Sequence, residues 1–182
     1  MRKNLFAIAT ILSMAIASTM QAQSIDIYPV PQKIKWSEEV AFANSTGYTL
    51  TGEADEDTDA VNLFKENFST DGGAVEVIIG ERGDEAVAAY ENLIPQKNEG
   101  YYLAVENGKV VIAGNDGSGT FYGVQTFLQI ASQPNVMEVT VTDYPSVPQR
   151  GLVEGYYGNP YSEADRIQSQ IGRAVQQECR DR

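Results

Sequence analysis

Hydrophobic and polar positions recur with two different periods along this chain, and the two periods predict strands and helices in turn. Strands are expected where apolar residues alternate or run together, and helices where they recur every three to four residues. The predicted strands lie within 24–37, as two short pieces, and at 40–42, 48–51, 75–80, 101–105, 109–113 and 136–142. The predicted helices cover 57–68, 84–93 and 119–132, and in the second of these Ala86, Val87, Tyr90 and Leu93 are expected to face inward.

Turn residues between these segments refine the prediction. Pro29 and Pro31 interrupt the first alternating stretch, which places it at a sheet edge because proline cannot donate a ladder hydrogen bond. Asn107 and Gly108 separate the strands at 101–105 and 109–113 and predict a tight hairpin. The chain is therefore expected to fold as an α/β (α+β) domain around a small, mostly antiparallel or mixed sheet.

The extreme N-terminus has the pattern of a secretory signal peptide over residues 1–22. Arg2 and Lys3 form a charged start, an apolar run follows, and Met20, Gln21 and Ala22 fit a cleavage site. The run is too short for a membrane-spanning helix, which needs about 20 apolar residues. We expect a secreted or periplasmic protein with no membrane span after removal of the signal.

Charge and composition narrow the classes of function. The formal net charge is −12, and loss of the two positive charges of the signal would make it −14, which disfavours nucleic acid and anionic membranes as partners. The chain has no histidine, and Cys179 is its only cysteine, so an intrachain disulfide, a Ser-His-Asp triad and a histidine zinc site are excluded within it. Acid–base chemistry would fall to carboxylates or tyrosines.

Two short motifs could be ligand-binding sites instead of purely structural features. Asp55, Asp57, Asp59 and Glu66 imitate the spacing of a calcium loop, but Ala60 replaces the required glycine, so a helix N-terminus is the favoured interpretation. The glycine-rich stretch 114–119 precedes a helix and is a candidate phosphate cradle. It matches a nucleotide-binding pattern poorly and follows a hairpin strand rather than a parallel βαβ unit, which favours structural turn glycines. No metal or cofactor is expected.

The stretch 149–161 predicts the beginning of a different unit. Residues 151–154 form a short buried strand, a turn follows, and Ser162 to Asp165 fit a capping box that opens a helix. Such a βα turn lies on the catalytic face of a (β/α)₈ barrel, and Gly155 would bring a backbone carbonyl close to a ligand. The side chains that would wall a sugar ring are Tyr156, Tyr157 and Tyr161. The alternative is a tight turn with ordinary aromatic packing.

Residues 150–161, R-G-L-V-E-G-Y-Y-G-N-P-Y, resemble the first barrel strand of glycoside hydrolase family 84, the β-N-acetylglucosaminidases that include O-GlcNAcases and hyaluronidase-like enzymes. That family usually reads R-G-V-V-E-G-F-Y-G-x-P-W, so Tyr156 and Tyr161 depart from it conservatively. The segments G-Y-Y-L-A-V, V-V-I-A-G-N-D-G-S-G-T-F-Y-G-V-Q-T-F-L-Q and V-T-D-Y-P-S-V are similar to the small domain that precedes the barrel in families 84 and 20. The resemblance implies a sheet with helices packed on one face and no catalytic residue.

The resemblance also implies a domain plan and an activity. The plan is a signal peptide at 1–22, a hexosaminidase-type domain at 23–145, and a linker with the first βα unit of a truncated barrel at 146–182. The family removes terminal β-linked N-acetylglucosamine from glycoconjugates by substrate-assisted, retaining hydrolysis, using two adjacent aspartates that have no counterpart here. Of the family's site residues only Gly155, through its backbone carbonyl, carries over.

Chain length supports the expectation of a truncated barrel. Removing 1–22 from 182 residues leaves about 160, whereas a complete barrel alone needs about 250. The chain is expected to be inactive by itself, with glycans or glycoproteins containing N-acetylglucosamine as the partners of its parent enzyme. The alternative function is a non-catalytic scaffold or a weak carbohydrate-binding module.

Overall fold

A mixed six-stranded sheet organises the part of the chain that the computed structural model describes, which is residues 25–51, 58–148 and 162–165. The strands are β1 (Lys33–Ala43), β2 (Tyr48–Leu50), β3 (Val75–Glu81), β4 (Tyr101–Glu106), β5 (Lys109–Gly114) and β6 (Asn135–Asp143). The α-helices are α1 (Asp59–Asn67), between β2 and β3, and α2 (Gly117–Ile130), between β5 and β6. Short 3₁₀ helices occupy Asn44–Thr46 and Glu85–Tyr90. The mixed α/β fold predicted from the sequence is confirmed.

The strands are ordered β1-β6-β4-β5-β3-β2 across the sheet. Pairs β1/β6, β6/β4 and β4/β5 are antiparallel, whereas β5/β3 and β3/β2 are parallel. The predicted hairpin joins β4 to β5, and its central residues Asn107 and Gly108 have φ values of 48° and 75°, as the favoured two-residue turn requires. Strand β5, which precedes the glycine-rich stretch, lies in this hairpin as expected, and on its other side it pairs in parallel with β3 from Glu76 to Glu81.

Both α-helices pack on one face of the sheet and enclose its main core. Thr58 caps α1 by accepting a hydrogen bond from the Val61 amide, and Asp116 caps α2. Between the helices and the sheet lies an aromatic cluster, formed by Phe42, Tyr48, Phe64, Phe68 and Phe127. The helices thus lie on one face, as the family resemblance implies.

The opposite face is covered by the segment from 85 to 94, which differs from its prediction. An α-helix over 84–93 was expected, but a 3₁₀ helix spans Glu85–Tyr90, and Leu93 is 50% exposed while Ile94 is buried. A 3₁₀ helix turns through about 120° per residue, so a stripe drawn at α-helical spacing drifts away from the core. Pro95 follows directly and cannot extend a helix.

Strand β1 also departs from its prediction. Residues 25–32 carry no strand, and the pieces expected around Trp36 and at 40–42 join into one eleven-residue edge strand. Its register with β6 shifts between Trp36 and Val40 and again between Val40 and Phe42. Such irregularities are common on edge strands, where they discourage pairing with another chain. Among the described residues, no helix is both long enough and apolar enough to cross a membrane.

Candidate functional site

The predicted sugar site lies outside the described residues: Gly155, Tyr156, Tyr157 and Tyr161 all fall between positions 149 and 161. Residues 162–165, directly after it, are described and confirm the capping box. The Asp165 amide donates to Ser162 Oγ at 3.2 Å, and Asp165 Oδ2 accepts from the Ser162 amide at 3.3 Å. The Ser162 hydroxyl donates to the same carboxylate at 2.6 Å. Asp165 is therefore engaged in starting a helix over 163–165.

The glycine-rich stretch 114–119 forms the turn into α2 and leaves no room for a phosphate. Asp116 Oδ1 accepts from the Gly119 amide at 2.9 Å, and Oδ2 accepts from the Glu99 amide at 2.8 Å. The protein's own carboxylate thus occupies the place that an external anion would take at the helix N-terminus, and its charge would repel one.

Close contacts explain why two of the three glycines in that turn are required. A Cβ on Gly119 would collide with the carbonyl oxygen of Gly100, and one on Gly114 would collide with Thr120. The structural interpretation of these glycines is therefore supported by geometry and not by composition alone.

Only two of the four acidic residues that imitate a calcium loop lie in the described part of the chain. Asp55 and Asp57 lie outside the described residues, while Asp59 and Glu66 are both on α1. Seven residues along a helix separate these two positions by about 10 Å, and two carboxylates cannot supply the six to eight oxygen ligands that calcium takes. In the described ranges, no cluster of three potential metal ligands occurs.

A polar network at the end of β6 is the feature that the sequence analysis missed. The Asp143 carboxylate accepts from the Gln32 amide at 2.9 Å, and Tyr101 Oη donates towards it at 3.4 Å. Tyr101 Oη also lies 2.6 Å from the hydroxyl of Thr126 on α2. Gln32 and Asp143 are 111 positions apart, so the only local signal was an aspartate before a proline-containing segment.

Burial determines the chemistry of this network. It raises the pKa of Asp143 above its usual range, although hydrogen bonds from the amides of Gln32 and Tyr144 act in the opposite direction. Burial first, and then the charge of Asp143, also raises the pKa of the Tyr101 phenol. Tyr101 is 2% exposed, so no substrate reaches its hydroxyl. The network therefore has a structural role and is not an acid–base pair for catalysis.

Comparison with known proteins relates this domain to glycoside hydrolases. The profile of the family described as Glycosyl hydrolase family 20, domain 2, matches residues 24–144. A curated β-hexosaminidase from Porphyromonas gingivalis (strain ATCC BAA-308 / W83) is 28% identical over 111 residues. That match covers 59% of this chain and 14% of the relative.

Solved structures extend the comparison to a second family. The structure of CpGH84B superposes with a TM-score of 0.69 at 29% identity, covering 82% of this chain and 28% of that one. CpGH84D gives a TM-score of 0.66 at 22% identity, over 80% of this chain and 28% of that one, and supports the fold alone. The chain thus spans less than a third of the length of each of these relatives. The expected similarity to a hexosaminidase-type N-terminal domain and to family 84 is confirmed, and the chain belongs to the family of the second domain of family 20 glycosyl hydrolases.

Proposed function

We propose that this chain supplies the hexosaminidase-type N-terminal domain of a secreted or periplasmic β-N-acetylglucosaminidase. The observation that carries the proposal is the family match over 24–144, whose six-stranded sheet agrees with the fold of CpGH84B. The curated relative is a β-hexosaminidase, so the reaction class is the hydrolysis of terminal β-linked N-acetylhexosamine. The parent enzyme would act on N-acetylglucosamine in glycans or glycoproteins.

Within that enzyme, the described domain acts as a scaffold. Every fully buried side-chain nitrogen or oxygen among the described residues has a hydrogen-bond partner, so no buried polar group there is left over to hold a ligand. Two of its carboxylates have structural roles, because Asp116 caps α2 and Asp143 joins two chain segments. The domain's contribution is to support whatever carries the sugar site.

The chemistry of the parent is substrate-assisted. The acetamido oxygen of the substrate attacks its own anomeric carbon, one aspartate orients that group, and a neighbouring aspartate acts as acid and then base. The sequence contains no two adjacent aspartates. Gly155 would offer its backbone carbonyl to a sugar hydroxyl, with Tyr156, Tyr157 and Tyr161 around the ring. Positioning by these residues without the aspartate pair does not lower the barrier enough for turnover.

An activity assay tests the catalytic part of the proposal. Purified residues 23–182 should release no aryl alcohol from an aryl β-N-acetylglucosaminide, with an active hexosaminidase as the positive control. Turnover that a thiazoline-type hexosaminidase inhibitor abolishes would overturn this expectation. Sequencing the gene beyond codon 182 in all frames should reveal a strand ending in Lys-Asp-Asp. The absence of that strand would favour a free-standing scaffold or weak sugar-binding module.

Export is tested separately. Expressed with residues 1–22 in a bacterial host, the protein should appear in the periplasm or medium with Gln23 as its first residue, because Ala22 ends a typical cleavage site. Arg2→Glu together with Lys3→Glu should retain it in the cytoplasm. Full-length protein in the cytoplasm of the unmodified strain would contradict this part of the proposal.

A further inference from the structure

The N-terminal segment of the domain, residues 25–32, is fastened to helix α2 although it forms no strand. The Tyr28 amide donates to Gln129 Oε1 at 2.9 Å, and Gln129 Nε2 donates back to the Tyr28 carbonyl at 2.8 Å. The side-chain amide of Gln129 thus satisfies both backbone polar groups of Tyr28, as a neighbouring strand would. Ile27 is buried in the main core. The chain is therefore held in a fixed position where it reaches β1.

Gln32 connects this segment to the one that leaves the domain. Its backbone amide donates to Asp143 Oδ1 at 2.9 Å. Its side-chain amide donates to Ser146 Oγ at 2.7 Å and to the Tyr144 carbonyl at 3.3 Å. One residue thus contacts three positions of the outgoing chain, and we call Gln32, Asp143, Tyr144 and Ser146 the Gln32 junction.

The Gln32 junction is connected to the main core through Asp143. The second oxygen of Asp143 lies 3.4 Å from Tyr101 Oη, and Tyr101 on β4 contacts Thr126 on α2. Tyr101 and Thr126 are both buried. The carboxylate that accepts from the Gln32 amide is therefore also linked to the main core through Tyr101, whose hydroxyl is paired in turn with Thr126.

The backbone of residues 144–148 is conformationally restricted. Pro145 and Pro148 each fix φ near −65°, and Pro145 restricts Tyr144 as well. A flexible linker would be rich in glycine and serine and free of side-chain contacts. Each bond of the Gln32 junction is exposed and contributes little alone. Acting together on a segment with two prolines, they leave few directions open to the chain.

We propose that the Gln32 junction fixes the direction of the outgoing segment 144–148 relative to the sheet. Gln32 and Asp143 are positioning residues in this scheme and touch no substrate. The inference needs no assumption about catalysis and stands whether or not the proposed function is correct. The competing interpretation is that these bonds only close the sheet edge and leave the outgoing chain free.

Nitrogen-15 relaxation on the full chain distinguishes the two. In the wild type, the backbone order parameters of Ser146 and Val147 should be about 0.85, like those of strand β6. Gln32→Ala, which removes both side-chain bonds, should lower them below about 0.6. The order parameters of β4 and β5 and the Tm should not change. Gln133→Ala is the matched control, because Gln133 is exposed and, among the described residues, its side chain bonds to the adjacent Ser132.

A second pair of variants separates the two halves of the junction. Ser146→Ala removes one exposed acceptor and should lower the Ser146 and Val147 order parameters without any risk to folding. Asp143→Ala should accelerate hydrogen exchange of the Gln32 amide about tenfold, which is the loss of one charge-assisted hydrogen bond. Low order parameters at Ser146 and Val147 in the wild type would overturn the proposal. Unchanged values in both Gln32→Ala and Ser146→Ala would overturn it equally.

Discussion

At the scale of single residues, two glycines at the start of α2 differ in whether a larger side chain could replace them. Gly119 lies against the backbone of Gly100 and Glu99, so an added methyl group meets atoms that cannot move aside. Gly117, two positions earlier, has only a Glu81 carboxylate oxygen within reach of such a methyl, at 3.8 Å. Its φ is not in the left-handed region.

We therefore predict that Gly119→Ala lowers the free energy of unfolding by about 1–3 kcal/mol, the usual cost of overpacking. Gly117→Ala should be neutral or stabilising by up to about 1 kcal/mol, because alanine is the better helix former. Urea unfolding of both variants measures the difference. Equal effects would show that backbone contact is not the reason for glycine at 119.

Asp143 gives a pH dependence whose sign follows from its burial. Its pKa is raised in the folded protein, so the folded state retains a proton that the unfolded chain has already released. The stabilising contribution is complete below the ordinary aspartate pKa of about 4 and is lost as pH rises through the raised value.

Asp143→Asn stays neutral and retains an oxygen for the Gln32 amide. The stability of wild type minus that of Asp143→Asn should thus fall as pH rises from about 3.5 and then level off. Urea titrations at a series of pH values measure this difference, in which the other carboxylates cancel. A difference that grows with pH, or does not depend on it, would contradict the prediction.

At the scale of elements, the sequence predicted best those strands whose neighbours are close in the chain. The pattern at 101–105 and 109–113, with Asn107 and Gly108 between, determines a hairpin, and the structure has it. The parallel pairing of β3 with β5 was not predictable in the same way. It joins segments separated by a crossover, and periodicity states which face is buried but not which strand lies alongside.

The two misjudged elements have a common cause. The segment 84–93 and strand β1 both carry apolar residues at spacings that fit more than one local geometry. The first takes the tighter 3₁₀ geometry over Glu85–Tyr90, and the second runs as one strand through two register shifts with β6. Polar contacts differ in the same way between those that are local in sequence and those that are not. Ser162 and Asp165 are three positions apart and their contact was predicted, whereas Gln32 and Asp143 are brought together only by the fold.

Helix α2 depends on one aromatic side chain for its packing. Phe127 is fully buried, and its ring centroid lies 5.5–6.0 Å from those of Phe68, Phe64 and Tyr48. Phe127→Ala should lower the free energy of unfolding by about 3–5 kcal/mol, because the cavity is enclosed by helices and sheet and cannot collapse.

Phe121, on the same helix, is only partly buried and is the matched control. Phe121→Ala should cost clearly less than Phe127→Ala in the same urea titration. A cost for Phe121→Ala as large as that for Phe127→Ala would mean that helix content, and not the aromatic cluster, decides stability.

At the scale of the whole molecule, everything that the described domain needs for folding lies between its two fastened ends. All six strands, both α-helices and both apolar clusters fall within residues 25–143, and the Gln32 junction closes the boundary. The family match ends at residue 144, at the same boundary. Two ends that meet at one edge are typical of a domain that folds by itself.

Residues 24–148 should therefore melt cooperatively, at the same temperature as the full chain, with coinciding transitions in far-ultraviolet circular dichroism and tyrosine fluorescence. A fragment ending at residue 134 is the control. It lacks β6, which pairs with both β1 and β4, and it loses the buried Val136, Val139 and Val141. That fragment should show no cooperative transition, because β1 is left without a partner and the core is open on one side. A lower melting temperature for 24–148 than for the full chain would show that residues beyond 148 stabilise the domain, and equal melts for both fragments would show that β6 is dispensable.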